Sequence, residues 1–179
     1  MSDYPGLPQL VAGVTLDTAR LRLRLYRESD LDVFADMHGD PVTMQYIGEG
    51  KALTRAETWR FLAAGLGHWA LRGYGMFAVT HRETGEVLGR CGFYHPDGWP
   101  GFEIGWLFHR KHWGRGYATE AAAAALDHAF NSLNQTHVVS FIRRDNLASV
   151  RVAEKIGETY EKEIELLGAP ALVYGIHKP

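Results

Sequence analysis

The chain has 179 residues, 46% of them hydrophobic and 22% charged, with a formal net charge of −2. That length suits one domain with a substantial core, so a single domain over residues 1–179 is expected. The composition is that of a globular protein, and the charge gives no overall basic field to attract nucleic acid, so no direct nucleic-acid partner is expected.

Residues 1–13 hold two prolines and no basic start or long apolar run. They read as a loose lead-in and not as a signal peptide. No apolar stretch approaches the length of a membrane span, so no membrane partner is expected. Arg20-Leu21-Arg22-Leu23-Arg24-Leu25 alternates charged and apolar side chains, the pattern of a half-buried strand. Ser29-Asp30 can cap a helix whose apolar stripe is Leu31, Phe34, Ala35 and His38, and Gly39-Asp40-Pro41 ends it. Thr54 with Glu57 forms a capping box opening a second helix through Trp59, Leu62, Ala63 and Leu66, with a stop near Gly67.

Strands are expected at 75–80, 87–94 and 102–108, joined by Thr84-Gly85-Glu86 and by Asp97-Gly98 with its flanking prolines. Cys91, the single cysteine, sits in the second of these. It excludes an intramolecular disulfide framework, reads as a core thiol and fits a reducing cytosol. A helix at 117–131 carries Ala118, Ala121, Ala122, Ala125 and Ala129 on one small-residue stripe. A strand at 137–142, a helix at 146–156 closed by Gly157, and strands near 159–166 and 171–177 complete the chain. The order β, α, α, β, β, β, α, β, α, β, β is α+β, with a mostly antiparallel sheet and helices packed on it.

Between the third strand and the Ala-rich helix lies Arg110-Lys111-His112-Trp113-Gly114-Arg115-Gly116-Tyr117-Ala118. A strand, a basic glycine loop and a helix start together make a phosphate site. Glycines let backbone N–H groups approach an anion, and the helix N-terminus adds unpaired donors and partial positive charge. A Walker loop is excluded, because Tyr117 and Ala118 follow Gly116 where Lys and Ser or Thr would stand. A dinucleotide fingerprint fits poorly, because Thr119 replaces its third glycine.

KHWGRGYATEA resembles the pyrophosphate loop of the GNAT superfamily of N-acetyltransferases, with Lys111 at the usual Gln/Arg position. The wording WGRGYATEA is similar to the branch that acetylates ribosomal-protein N-termini, the ribosomal-protein-alanine acetyltransferases. TARLRLRLY, TGEVLGRCGF, FEIGWLF and NLASVRVAEKIG extend the resemblance over nearly the whole chain from Thr18. It implies a GNAT-like mixed sheet with helices on both faces, a cytoplasmic enzyme and acetyl-CoA as co-substrate. The acceptor it implies is a small-molecule amine or a protein N-terminus. A homodimer is expected by the same analogy. The alternative is a catalytically silent CoA-binding module.

The resemblance assigns the pyrophosphate to Lys111, Trp113, Gly114, Arg115, Gly116, Tyr117 and Ala118. It assigns backbone contacts with the pantetheine to Trp106, Leu107 and Phe108, on a strand that splays from its neighbour. It places Asn146 near the pantetheine and makes Glu103 the base, with a plain strand carboxylate as the other reading. The family's usual acid is a Tyr at the position of Ala153, so that acid is missing. Ser149 takes its place in the ribosomal-protein branch; otherwise it merely occupies the first helical turn. Arg143 and Arg144 fit either an adenosine 3′-phosphate or a solvated strand end. His109 and His112 form HxxH without a third ligand, and no metal is expected.

Overall fold

The structure is a computed structural model describing residues 13–179, so all but the last residue of the expected lead-in lies outside the described residues. Eight strands form one sheet: β1 Leu16–Asp17, β2 Leu21–Arg24, β3 Met76–His81, β4 Val87–Tyr94, β5 Glu103–Phe108, β6 His137–Arg143, β7 Thr159–Leu166 and β8 Ala169–His177. Their order is β1-β2-β3-β4-β5-β6-β8-β7. Every pairing is antiparallel except β5 with β6. That exception has a cause: a helix crosses over between those two strands, and only a crossover of that length returns a strand in the same direction.

Among the described residues, five helices flank the sheet: α1 Leu31–Gly39, α2 Pro41–Met44, α3 Arg55–Arg72, α4 Tyr117–Asn131 and α5 Leu147–Lys155. Alternation along β3 divides the core. Phe77 and Val79 pack with Phe93 and the alanines of α4. Met76 and Ala78 pack with Phe34, Met37 and Leu62 of α1 and α3. The alanine stripe of α4 is fully buried at Ala121, Ala122, Ala125 and Ala129, so the helix lies close on the sheet.

Two local expectations are corrected and a third is extended. Asp30 does not cap α1 through its side chain. A 3-10 turn at Glu28–Asp30 precedes the helix, and the buried Asp30 carboxylate instead accepts two 2.7 Å bonds from Arg24. Asp40-Pro41 ends α1 but also starts α2: Asp40 Oδ1 accepts from Val42 N–H at 3.2 Å, with Pro41 at the first helical position. Helix α3 runs past Gly67 to Arg72 and stops at Gly73, whose φ is 76°. Its internal glycine at 65 serves packing, since a Cβ there would stand 2.8 Å from the Tyr26 ring. Trp69, fully buried, holds the extra turn by donating from Nε1 to Met76 O at 2.9 Å.

Candidate active site

The loop after β5 is rigid by construction. His109 Nδ1 accepts from Lys111 N–H at 3.2 Å, and Gly114 and Gly116 have φ of 75° and 77°, values that other residues adopt only with strain. Arg20 pins the loop from behind. It donates to Arg115 O at 3.1 Å and to Glu120 Oε2 at 2.7 Å, and its guanidinium stands 4.6 Å from the centre of the Tyr117 ring. In front of the loop is a cavity of about 460 Å³ bordered by Trp113, Gly114, Gly116, Tyr117 and Ala118, and by Trp106, Leu107 and Phe108.

The two cations expected to supply charge do not border this cavity. Lys111 Nζ pairs with Glu86 at 3.0 Å, and Arg115 contributes its carbonyl to Arg20. Arg151 and Lys155, one turn apart on α5, line the cavity instead. Neither was assigned a role from sequence. Only the approach of α5 to the loop reveals them.

Strands β5 and β6 pair at one register position, Glu103 with Val139, and then part. His109 N–H bonds to Leu88 O, so by alternation residues 103, 105 and 107 turn their backbone groups toward β4. Those of 104, 106 and 108 point into the gap. Ser140 Oγ takes Ile104 O at 2.9 Å, and Trp113 Nε1 takes Phe108 O at 2.7 Å. Trp106 has no ladder partner on this side. Its N–H and C=O offer an extended ligand a strand-like edge.

A second cavity, about 320 Å³, lies on the other side of the gap. The two share Tyr46, Ile47, Trp106, Asn146 and Ser149. Asn146 caps α5, its Oδ1 accepting from Ser149 N–H at 3.2 Å, which sets Ser149 at the meeting point. Val42 and Thr43 of α2 roof the first cavity, and Tyr46 and Ile47, just after the helix, roof both. Glu103 lines the second, with Trp99 Nε1 donating to its Oε2 at 2.7 Å. The residue is half-buried because it borders open space, yet protein encloses the carboxyl on its other sides. That desolvation pushes its pKa up to about 8, against the opposing pull of the Trp99 N–H and the Arg90 charge.

The sequence model of the Acetyltransferase (GNAT) domain family matches residues 20–159. The uncharacterized protein YkkB of Bacillus subtilis is 37% identical over 171 residues, covering 91% of this chain and 95% of its own. A crystal structure of an acetyltransferase from Agrobacterium tumefaciens superposes with a TM-score of 0.83 at 36% identity, covering 92% of this chain and 95% of that one. The chain belongs to the GNAT acetyltransferase family. The GNAT fold also appears in the ribosomal L7/L12 alpha-N-protein acetyltransferase RimL in complex with coenzyme A, with a TM-score of 0.77, 19% identity and coverage of 92% and 98%. GNAT enzymes use acetyl-CoA. Among the described residues no helix is long and apolar enough to cross a membrane.

Other candidates resolve differently within this GNAT fold. Arg143 donates to Leu166 O, Ala169 O and Pro170 O and to Gly48 O, stapling the β7–β8 turn to the cavity roof. Arg144 pairs with Glu163 at 2.6 Å. Neither borders the loop cavity; Arg143 borders the Glu103 cavity instead. Cys91 is fully buried and its thiol is pushed up to about 12, so it stays protonated and inert. Ala153 is fully buried and borders neither cavity. Trp69 is core, Trp59 is half-exposed on α3, and Trp99, Trp106 and Trp113 line the cavities. His137, Glu161 and His177 converge on β6, β7 and β8, but none of them borders either cavity.

Glu158 was not anticipated. It is 2% exposed, and burial pushes its pKa up to about 8, opposed by the Ser140 hydrogen bond and reinforced by Glu103. Ser140 Oγ stands 2.9 Å from Ile104 O and 3.1 Å from Glu158 Oε1. One hydroxyl proton cannot serve both acceptors, so a protonated Glu158 completes the set by donating to Ser140. A raised folded pKa makes stability complete below the unfolded value near 4.5 and erodes it as pH climbs toward about 8. Glu158→Gln keeps shape and hydrogen bonding without this titration. Its urea midpoint relative to the native protein is therefore expected to rise between pH 5 and pH 8, by the equivalent of a few kcal/mol, on the order of one per pKa unit. A difference that does not change with pH would show that Glu158 titrates alike in both states.

Proposed function

We propose that this chain transfers an acetyl group from acetyl-CoA to a primary amine by direct attack in a ternary complex. The observation that carries this reading is the junction of the two cavities at the β5–β6 gap, with an enclosed carboxyl on one side and a glycine loop on the other. Acetyl-CoA lays its pyrophosphate on the amides of Gly114 to Ala118, near Arg151 and Lys155, and its pantetheine along Trp106 in the gap. The thioester then lies at the junction. The acceptor enters through the Glu103 cavity.

In this scheme Glu103 takes a proton from the ammonium, directly or through water. The amine nitrogen attacks the thioester carbon, the C–S bond breaks, and the CoA thiolate leaves. Ser149, at the junction, donates a proton to that sulfur and regains one from the nitrogen through water as the amide forms, while Glu103 releases its proton to solvent. The products are an amide and CoA–SH. The ionised fraction of Glu103 is the base, and a pKa pushed up to about 8 makes it a stronger base than an ordinary carboxylate. No covalent acyl-enzyme is invoked, since Cys91 is protonated and buried. The enzyme is proposed to work in the cytosol on a small-molecule amine or a protein N-terminus.

The test is mass spectrometry of purified protein incubated with acetyl-CoA and a panel of amino acids, N-terminal peptides, spermidine and an aminoglycoside. Acetylated product with stoichiometric CoA release is expected. Binding of acetyl-CoA without acetylation of any amine would instead support the silent CoA-binding module.

A further inference from the structure

We infer that the acceptor amine carries a second, anionic group, and that Arg90 binds it; this rests on the acetyl-transfer reading above. Arg90 stands mid-strand in β4, between Gly89 and Cys91, and is 6% exposed. Its guanidinium lies 4.9 Å from the centre of the Phe61 ring, and Nη1 is 3.7 Å from Met76 Sδ. Nε has no hydrogen-bond partner. Among the described residues no carboxylate forms an ion pair with it, whereas Arg24, similarly enclosed, holds Asp30 at 2.7 Å. A guanidinium cannot shed its proton, and burying it without an anion is costly. Its planar fork suits a carboxylate or phosphate. Arg90 lines the same cavity as Glu103.

The strand register sets how the two charges relate. Arg90 is opposite Leu107, Gly92 opposite Gly105, and Tyr94 opposite Glu103, all on one face of the sheet. Gly105 leaves the floor between them without a side chain. A Cβ there would stand 3.2 Å from Met76 Cε and 3.7 Å from Glu103 Oε1. The Arg90 and Glu103 side chains thus line one cavity, with the Met76 methyl over the Gly105 floor between them and Phe61, Tyr94 and Trp99 as aromatic walls. Apart from Glu103 itself, whose carboxyl feels the Arg90 charge across the cavity, the ionisable groups packed around Arg90 offer no countercharge. Tyr26 and Cys91 are held protonated by burial, and His38 is pushed down to about 3, hence neutral. An acceptor presenting its nitrogen to Glu103 holds its anion toward Arg90. A polyamine would set a second cation against it.

The shared chemistry is a primary amine with a carboxylate, as in an amino acid, or with a phosphate monoester. The experiment measures kcat/KM by CoA thiol release on matched pairs: amino acids against their decarboxylated amines, O-phosphoethanolamine against ethanolamine, and spermidine alone. The anionic member of at least one pair is expected to be preferred by about 10²-fold, the usual cost of stripping a partner from a buried charge. The pair that shows it identifies carboxylate or phosphate. Arg90→Met should collapse the preference to under about tenfold, and Arg90→Lys should retain part of it, because charge remains without the fork. A measurement on the native protein guards against a variant that fails to fold. The N-acetylated anionic product should inhibit at least about tenfold more tightly than its neutral counterpart. Turnover of neutral or cationic amines equal to or above the anionic ones would overturn the Arg90 inference and leave acetyl transfer standing. Acetyl-CoA binding with no amine acetylated would remove both.

Discussion

Glu103→Gln is expected to lower kcat by about 10²–10⁴-fold, the usual contribution of a general base, with acetyl-CoA affinity unchanged within about threefold. The amide keeps the size of the carboxylate and can accept the 2.7 Å bond from Trp99 Nε1, so the cavity wall stays in place. Only the capacity to take a proton is lost. The pH dependence gives an independent reading. Burial pushes Glu103 up to about 8, so the native enzyme holds most of its base protonated at neutral pH. Its rate should climb as pH rises through about 8 and level off above. With an acceptor whose own amine titrates well below 8, that acidic limb belongs to the enzyme and should vanish in the variant. A variant that retains both turnover and limb would make Glu103 a structural residue and place the base elsewhere.

Gly116→Val is expected to weaken CoA binding by roughly 10–10²-fold, from two contributions. Gly116 sits at φ 77°, where a β-branched residue costs about 1–3 kcal/mol, and the loop can relieve that only by turning its amides away from the phosphate position. Each charged hydrogen bond lost with them is worth about 1.5–3 kcal/mol, of which water recovers a part. A direct clash with the protein is not the cause. A Cβ at this position would meet nothing nearer than Arg20 Nη2 at 3.6 Å. The fold should survive, and calorimetry with CoA reads the affinity. Gly85→Val is the matched control: Gly85 has φ 73° and open space around it, and borders neither cavity. It should show the same kind of backbone strain with native CoA affinity. Equal affinities in the two variants would mean that the glycine loop does not carry the cofactor.

Much of this molecule was determined by local pattern. The strand at 87–94 and the helix at 117–131 stand where local signals put them: turn residues bound the strand, which is buried on both faces, and the alanine stripe allows the helix one buried face. The capping box of Thr54 and Glu57 forms as read, with Glu57 Oε2 accepting from Thr54 N–H at 2.7 Å. The glycines of the loop were legible as residue types that let backbone approach an anion, and the structure adds their left-handed φ of 75° and 77°. Boundaries failed where a neighbour overrode the local signal, as when Tyr26 and Trp69 carried α3 past its internal glycines.

The candidate site was legible by residue type and not by arrangement. Glu103, Asn146, Ser149 and the loop all border the joined cavities, but the charge thought to serve the loop went elsewhere. Lys111 is held by Glu86, and Arg143 is held by four carbonyls. The gap between β5 and β6, the Arg151 and Lys155 pair, the Ser140–Glu158 bond and the unpaired Arg90 fork came only with the tertiary structure. The physical reason is range. A helix or turn is stabilised by bonds within a few positions, which a linear pattern records. The charge state of a buried group is set by which atoms of distant segments displace water around it, and only packing decides that.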